Sequence, residues 1–556
     1  MLHNPRLLVW HHSTLPSLCL DAMSAETSGT LSKVGDQYTN DAMICSTCRG
    51  FLIRPDEAIV DNAPASYRFE QMFRSAVDGC PLCRVFYLSI SQDDDPETLD
   101  MTAAITFEKR FASFEASDKL LAWKISLKTN RDNGPERVML NLERVLSYGI
   151  TSRIHDESPF YYDSSTPILS VKTPISRSYT GDQECMDQVA VWLQDCMENH
   201  ASCNAGCSMP GSAIMPTRLL DTGASGVKLI YTAEQEARVE LSYITVSHKW
   251  MIQGMPKLLK CNVGAMHQDL NSQMLPAVFH DAIVLARALN IRFVWIDALC
   301  IVQDDPADLE TEISNMGHIY RNAILNVGAL EAARDASPSP TTGLFVNRDP
   351  VLYSPFALTI QRVGFENNYL AFRSDGAGQL RFGPLMRRGW VLQERLLSRR
   401  SVYFGKQLLW ECGEKLASET LPTQLMGYTR HQSLTSSFRI TGLLSTRAQS
   451  IDTDWDVLEG ISLEANYIYQ NWARVVRHFS SCKLSFEQDY LVALSGLAQE
   501  FRATLNDEYY AGLWAKDMIR GLLWHRCGSR YKDCGDSEYI EVRPKMYRGM
   551  LSISLG

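Results

Sequence analysis

The chain is predicted to be an α/β protein built on a central parallel sheet, with a cysteine-containing region before the sheet and a mainly helical region after it. Three short β-rich runs, Tyr243–Ser247, Arg292–Ile296 and Ala323–Val327, carry this expectation. Two segments of helical periodicity separate them. Strands joined by helices of that length imply right-handed crossovers and parallel neighbours.

Each element has its own reason. YITVS at 243–247 is short and β-rich. Pro276 opens the next segment, and Val278, Ala282, Leu285, Ala286 and Leu289 fall on one helical stripe. RFVWI at 292–296 is the continuous apolar run of a strand buried on both faces, and it ends at Asp297. Asp305 is placed to cap a second helix, with Pro306 at its first position and Asp308 in its first turn. Leu309, Ile313, Met316 and Tyr320 form the expected buried stripe of that helix, before AILNV at 323–327.

Composition sets the outer limits. A chain of 556 residues has room for two to four domains. The reading is a disordered extension over 1–40, an N-terminal region over 41–180, a Cys/His segment over 181–228, the core over 229–412 and a helical tail over 413–556. Leu121–Leu127 looks like a strand, and 158–180, rich in Ser, Thr, Tyr and Pro, reads as a loop. A net charge of −10 argues against nucleic acid as the main partner. The most apolar run, Ile291–Val302, is broken by Arg292 and Asp297, so no membrane span is expected. The first 20 residues lack a compact apolar core followed by a small-residue cleavage site, so no signal peptide is expected, and Met23 is an alternative start. Fifteen cysteines, an odd number, fit reduced thiols in the cytoplasm better than a secreted disulfide framework.

Ligands of parallel α/β sheets bind beyond the carboxyl ends of the strands, which directs attention to the residues after Ser247 and Asp297. No glycine-rich phosphate loop follows either strand.

Several segments are recognisable in order: YITVSHKW (243–250), LPAVFHDAIVLARALNIRFVWIDALCIVQDD (275–305), ADLETEISNMGHIYRNAILNVGAL (307–330), GLF with Arg348, GPLMRRGWVLQERLLSRRSVYF (383–404) and LLWEC (408–412). Together with YLVALSGLAQEF (490–501) and YYAGLWAKDMIRGLLWHR (509–526), they span about half of the chain. They resemble the HET (heterokaryon incompatibility) domain family of fungi and the tail that often follows it. Met251 stands where the family pattern has Gly, and Leu309 where it often has Trp.

The resemblance implies a flavodoxin-like fold related to Toll/interleukin-1 receptor domains. It also implies a role in fungal self/non-self recognition or innate defence, ending in programmed cell death. Some relatives of that fold cleave NAD with a helix-borne Glu, and others act only by assembly.

Ser247, Trp250, Asp297, Arg388, Gln393 and Glu394 are therefore candidate ligand-binding residues. Against this, Trp250 suits a core, Asp297 suits a turn cap or a partner for Arg292, and the polar 388–394 stretch suits a salt-bridge network. Cys300 reads as a buried inert thiol. Glu312 is the candidate catalytic residue for NAD cleavage; it forms an i, i+4 acidic pair with Asp308, next to the buried stripe rather than within it, and the alternative is a solvated helix residue paired with a nearby Lys or Arg. Trp250 or Trp295 is available to stack on nicotinamide.

Cys45 and Cys48 form one CxxC pair, Cys80 and Cys83 another, the pattern of a four-thiolate zinc site. Cys196, His200, Cys203 and Cys207 make a second cluster, which suits packing as well as a metal. The function classes left open are an NAD-cleaving enzyme and a non-catalytic module that works through a protein partner or self-assembly. A zinc-bearing transcription regulator is disfavoured by the acidic charge and the lack of a basic helix.

Overall fold

The computed structural model of the chain describes residues 38–41, 44–46, 48, 66–93, 104–112, 122–129, 137–144, 168–174, 178–204, 214–223, 226–235, 241–251, 254–271, 274–334, 341–353, 356–362, 365–372, 379–380, 383–419, 422, 439–444, 463–486 and 488–522. Two compact units form, one from 1–176 with 355–373 and the other from 177–354 with 374–556.

The first unit holds an eight-stranded sheet. Its strands are β1 (Tyr38–Asp41), β2 (Ser66–Arg68), β3 (Ala104–Ala112), β4 (Ala122–Thr129), β5 (Arg137–Arg144), β6 (Ile168–Pro174), β12 (Phe356–Arg362) and β13 (Phe365–Phe372). Their order is β1-β6-β12-β13-β5-β4-β3-β2, and every neighbouring pair is antiparallel. The strand expected at Leu121–Leu127 is β4. The loop expected over 158–180 is corrected in part, because β6 lies inside it. Its ladder is completed by β12, where Lys172 pairs with Ala357. A partner so distant in sequence leaves no local signal. Helices α1 (Phe69–Val77) and α2 (Pro81–Asp93) belong to this unit. Between them Gly79 takes a φ of 94°, a left-handed value that favours glycine. The expected extension over 1–40 lies almost wholly outside the described residues.

The second unit carries the predicted core. Its sheet runs β16-β15-β14-β11-β9-β10-β7-β8. The strands are β7 (Arg218–Asp221), β8 (Lys228–Tyr231), β9 (Tyr243–Ser247), β10 (Phe293–Trp295), β11 (Leu325–Ala329), β14 (Arg400–Phe404), β15 (Leu409–Cys412) and β16 (Leu416–Ser418). The three predicted strands are parallel: β9 lies between β10 and β11, with Phe293 opposite Tyr243 and Val327 opposite Val246. A fourth parallel strand, β14, extends the set. Antiparallel pairs at both sides make the sheet mixed rather than wholly parallel.

The crossovers follow the sequence pattern. Helix α4 (Ala277–Ala288) buries Val278, Phe279, Ala282, Ile283, Leu285 and Ala286. After it Asn290 adopts φ 57°, and the Ile291 amide reaches back 2.8 Å to the Ala286 carbonyl, which stops the helix. Helix α5 (Pro306–Asn322) starts with Asp305 as its cap, the carboxylate accepting from Ala307 N at 3.2 Å. Its buried face is turned from the expected one: Glu312, Met316, Gly317, Ile319 and Tyr320 are buried, whereas Leu309 and Ile313 are partly exposed.

Helix α3 (Gln183–Asn199) precedes the sheet, and helix α6 (Gly389–Leu397) leads into β14. The tail supplies α7 (Leu463–Ser480), α8 (Asp489–Leu505) and a small hairpin, β17 (Tyr509–Tyr510) with β18 (Leu513–Trp514). Leu392, Leu396 and Leu397 of α6 join Trp472, Phe479, Leu497 and Phe501 in one apolar cluster.

Helices α5 and α8 touch through glycines. A Cβ added to Gly496 would stand 2.8 Å from Gln393 Oε1 and 3.1 Å from Gly317 Cα. Gly496→Val should therefore force the helices apart and lower stability by about 1–3 kcal/mol, read as a lower denaturation midpoint. An unchanged midpoint would contradict this close backbone crossing.

Candidate functional site at the strand ends

The parallel strands β9, β10, β11 and β14 deliver their last residues to one edge of the sheet, and α6 brings a run of polar side chains toward it. Ser247, the last residue of β9, donates its hydroxyl proton to Glu394 of α6 in a short contact. Ser247 Oγ also lies 3.1 Å from Asn326 Oδ1, which accepts from Thr245 Oγ1 at 3.1 Å. Asn326 projects from β11, so adjacent strands are bonded through side chains as well as backbone.

Asp297 stands just past β10. Its Oδ2 accepts from the Trp250 indole N–H at 2.7 Å, and its Oδ1 accepts from Ala298 N at 2.7 Å. His248 is buried, with Nε2 3.8 Å from Asp297 Oδ1 and no hydrogen bond to that nitrogen among the described residues. Arg388 Nη1 donates to the His248 carbonyl at 2.6 Å. The ammonium of Lys257 lies 5.4 Å from the centre of the half-buried Trp250 ring.

Burial decides the electrostatics. Glu394 is 6% exposed, and loss of water pushes its pKa up to about 7; the charge of Asp297 adds to the rise, while the Ser247 hydroxyl and Arg388 oppose it. Burial likewise lowers the pKa of His248, favouring the neutral ring. Tyr320, in the same cluster, is pushed far up by burial and then by the Glu394 charge.

The family described as heterokaryon incompatibility protein (HET) matches residues 243–394, a span that runs from the start of β9 to Glu394 itself. The chain contains a HET domain. No curated protein and no solved structure matches it.

Among the sequence candidates, the HET domain brings Ser247, Trp250, Asp297, Arg388 and Glu394 to the strand ends. Gln393 points elsewhere, accepting from Gly496 N of α8 at 2.9 Å. Asp297 does not pair with Arg292, whose guanidinium instead holds Asp221 with two bonds of 2.7 Å.

Glu312 lies within the buried face, not beside it. It is 0% exposed, its Oε1 accepts from Thr217 N at 3.2 Å, and its Oε2 has no hydrogen-bond partner among the described residues. Burial raises its pKa, and Arg218 only partly opposes this. Its expected partner Asp308 is engaged by Arg218 in a short ion pair. Trp295 is fully buried against Tyr320, and Cys300 is a buried thiol pushed by burial up to about 12.

Other buried polar residues went unread. Arg395 grips Glu411 of β15 with two bonds of 2.8 Å, and Arg439 and Tyr403 add contacts to the same carboxylate. Burial pushes Glu411 up, but the two guanidiniums outweigh it and hold the carboxyl below its usual range. The available signal was polar residues interrupting apolar strands: Thr245 in YITVS, Asn326 in AILNV, Glu411 in LLWEC.

Among the described residues, two clusters have donor atoms close enough to hold a metal ion. Cys45, Cys48, Cys80 and Cys83 converge in the first unit, with Cys83 Sγ 3.6 Å from Cys45 Sγ and 3.4 Å from Cys48 Sγ. Cys196, His200 and Cys203 converge in the HET-containing unit, joined there by Cys412. Cys207, the fourth member expected from the sequence, lies outside the described residues.

The raised pKa of Glu394 makes a testable linkage. A carboxyl whose folded pKa exceeds its unfolded value binds more protons when folded, so its contribution is fully present below about pH 4.5 and is lost as pH rises to about 7. That loss amounts to about 3 kcal/mol at most. Glu394→Gln should remove it. Parent and variant then differ little at pH 4.5, and the variant is the more stable above pH 7, as thermal melts across this range will read. Parallel pH profiles would contradict the assignment.

Proposed function

We propose that this HET-domain protein is a cytoplasmic effector of fungal-type heterokaryon incompatibility, which senses non-self through a protein partner and triggers programmed cell death by cleaving NAD. In this reading the central sheet is of the flavodoxin-like, Toll/interleukin-1 receptor-related kind. The observation that carries it is the buried Ser247–Glu394 pair beside Asp297, at the carboxyl ends of parallel strands.

The chemistry suits these groups. Hydrolysis breaks the nicotinamide–ribose bond, with water supplying the new bond to the sugar and nicotinamide leaving. Positive charge builds on the ribose, and a carboxylate held in a dry site stabilises it. Glu394, with a pKa of about 7, can either stabilise that charge or take the proton of the attacking water. Trp250 offers a ring edge for nicotinamide, and Arg388 a cation for phosphate. What favours Glu394 over Glu312 is position: Glu312 faces Thr217 and Arg218 on the edge-strand side.

A second reading is a non-catalytic module that kills by self-assembly. The burial of Ser247, His248 and Glu394 favours it, because a ligand could reach them only after movement. No helix among the described residues is long and apolar enough to cross a membrane. We further propose that Cys45, Cys48, Cys80 and Cys83 hold one structural zinc, since tetrahedral bonds of about 2.3 Å place sulfurs about 3.8 Å apart. Hydrogen bonding among the closely packed thiols, first with Cys48, lowers the Cys45 thiol pKa.

Cellular NAD after expression of the full chain is the test. The parent should lower NAD severalfold and kill, Glu394→Gln should lose both effects, and Glu312→Gln should keep them. Death with unchanged NAD would replace the enzymatic reading by assembly. Undiminished NAD loss in Glu394→Gln would remove Glu394 from the chemistry, and loss of activity in Glu312→Gln alone would return that role to Glu312.

A further inference from the structure

We propose that Cys196, His200, Cys203 and Cys412 form a second structural metal site, a zinc centre of three thiolates and one imidazole inside the HET-containing unit. The four donor atoms lie within 4.8 Å of one another. Cys196 sits in the last turn of α3, His200 follows at the helix end, and Cys203 lies in the next short helical turn, Ala201–Asn204. Cys412 ends β15, more than two hundred residues later. Chain topology, not local spacing, assembles the set.

The surroundings are those of a metal site. Cys412 Sγ is 3.3 Å from His200 Nδ1, so Nδ1 faces the sulfurs. The other ring nitrogen, Nε2, lies 3.8 Å from Asp195 Oδ2, the carboxylate placement that orients a ligating imidazole. Lys415 holds Asp195 from behind at 3.0 Å. The buried guanidinium of Arg400 donates from Nε to Cys196 Sγ at 3.1 Å and also binds the Asn204 side chain. Zinc with three thiolates and a neutral imidazole has a net charge of −1, which Arg400 offsets. Backbone N–H groups of Gly413 and Glu414 point at Cys203 and Cys412, as donors to thiolate sulfur would.

Plain thiol packing does not account for the Arg400 guanidinium aimed at Cys196 Sγ, because an apolar cluster gains nothing from a buried cation. A zinc here would pin α3 to β15 beside the tilted Trp192–Trp410 pair, whose ring centres are 6.1 Å apart. It would also link a segment before the family match to one after it. Binding replaces three thiol protons with the metal, so no oxidant or other co-reactant is needed.

Zinc counting on the purified full-length chain tests this. Two zinc ions per chain are expected, falling to one in Cys45→Ser/Cys83→Ser and to none when Cys412→Ser is added. Cys207→Ser should leave the count unchanged. X-ray absorption at the zinc edge keeps the test independent of variant folding. The parent should show seven sulfur ligands to one nitrogen across both ions, and Cys45→Ser/Cys83→Ser three to one. A single zinc in the parent with a sulfur-only shell would overturn the proposal. So would loss of this zinc in Cys207→Ser with retention in Cys412→Ser.

Discussion

Helix α6 is buried along most of its length, yet three consecutive residues on it are polar, and each is committed to a different element. Gln393 accepts from Gly496 of α8, Glu394 accepts from Ser247 of β9, and Arg395 forks onto Glu411 of β15. Successive helical residues point about 100° apart, so three in a row radiate to three sides. The apolar residues around them, Val391, Leu392, Leu396 and Leu397, exclude water from these bonds. A buried pair broken on one side typically costs about 3–5 kcal/mol, because the remaining charge is stranded. The triplet therefore fixes where the tail and the sheet strands sit within the unit.

The same constraint creates the candidate site. Arg395 finds a carboxylate and Gln393 finds an amide, but Glu394 meets a hydroxyl. With no ion-pair partner for its oxygens among the described residues, Glu394 keeps most of the penalty of burial, which pushes its pKa up to about 7. Asn326 and Thr245 support Ser247 from below, and Asp297 with Trp250 closes the neighbouring strand end. A perturbed carboxyl at the ends of parallel strands is where chemistry is expected of such a fold, and here it is also a structural joint.

The sequence made the centre of this architecture readable and left its periphery dark. The strands β9, β10 and β11 are short and mostly apolar, and the cap at Asp305 acts locally, so both could be read from neighbouring residues. Long-range partners could not. Strand β6 depends on β12, and Cys203 meets Cys412 rather than a neighbour in sequence. Glu312 was misplaced for a related reason. Periodicity assigned Leu309 and Ile313 to the buried face, but Thr217 and Arg218 supply partners that turn Glu312 inward. Ser247 and Asp297 are legible from their place at the carboxyl ends of predicted parallel strands, and Glu394 from a stretch too polar for a core helix. Their mutual contacts required the fold.

Glu394 is buried at the strand ends, and burial pushes its carboxyl up to about 7. Infrared difference spectroscopy of the parent against Glu394→Gln, taken across a pH series, measures that group directly. The parent should show a protonated carboxyl band, absent from the variant, that disappears with a midpoint at about pH 7. A midpoint in the ordinary carboxylate range, or no band assignable to Glu394 at low pH, would contradict it.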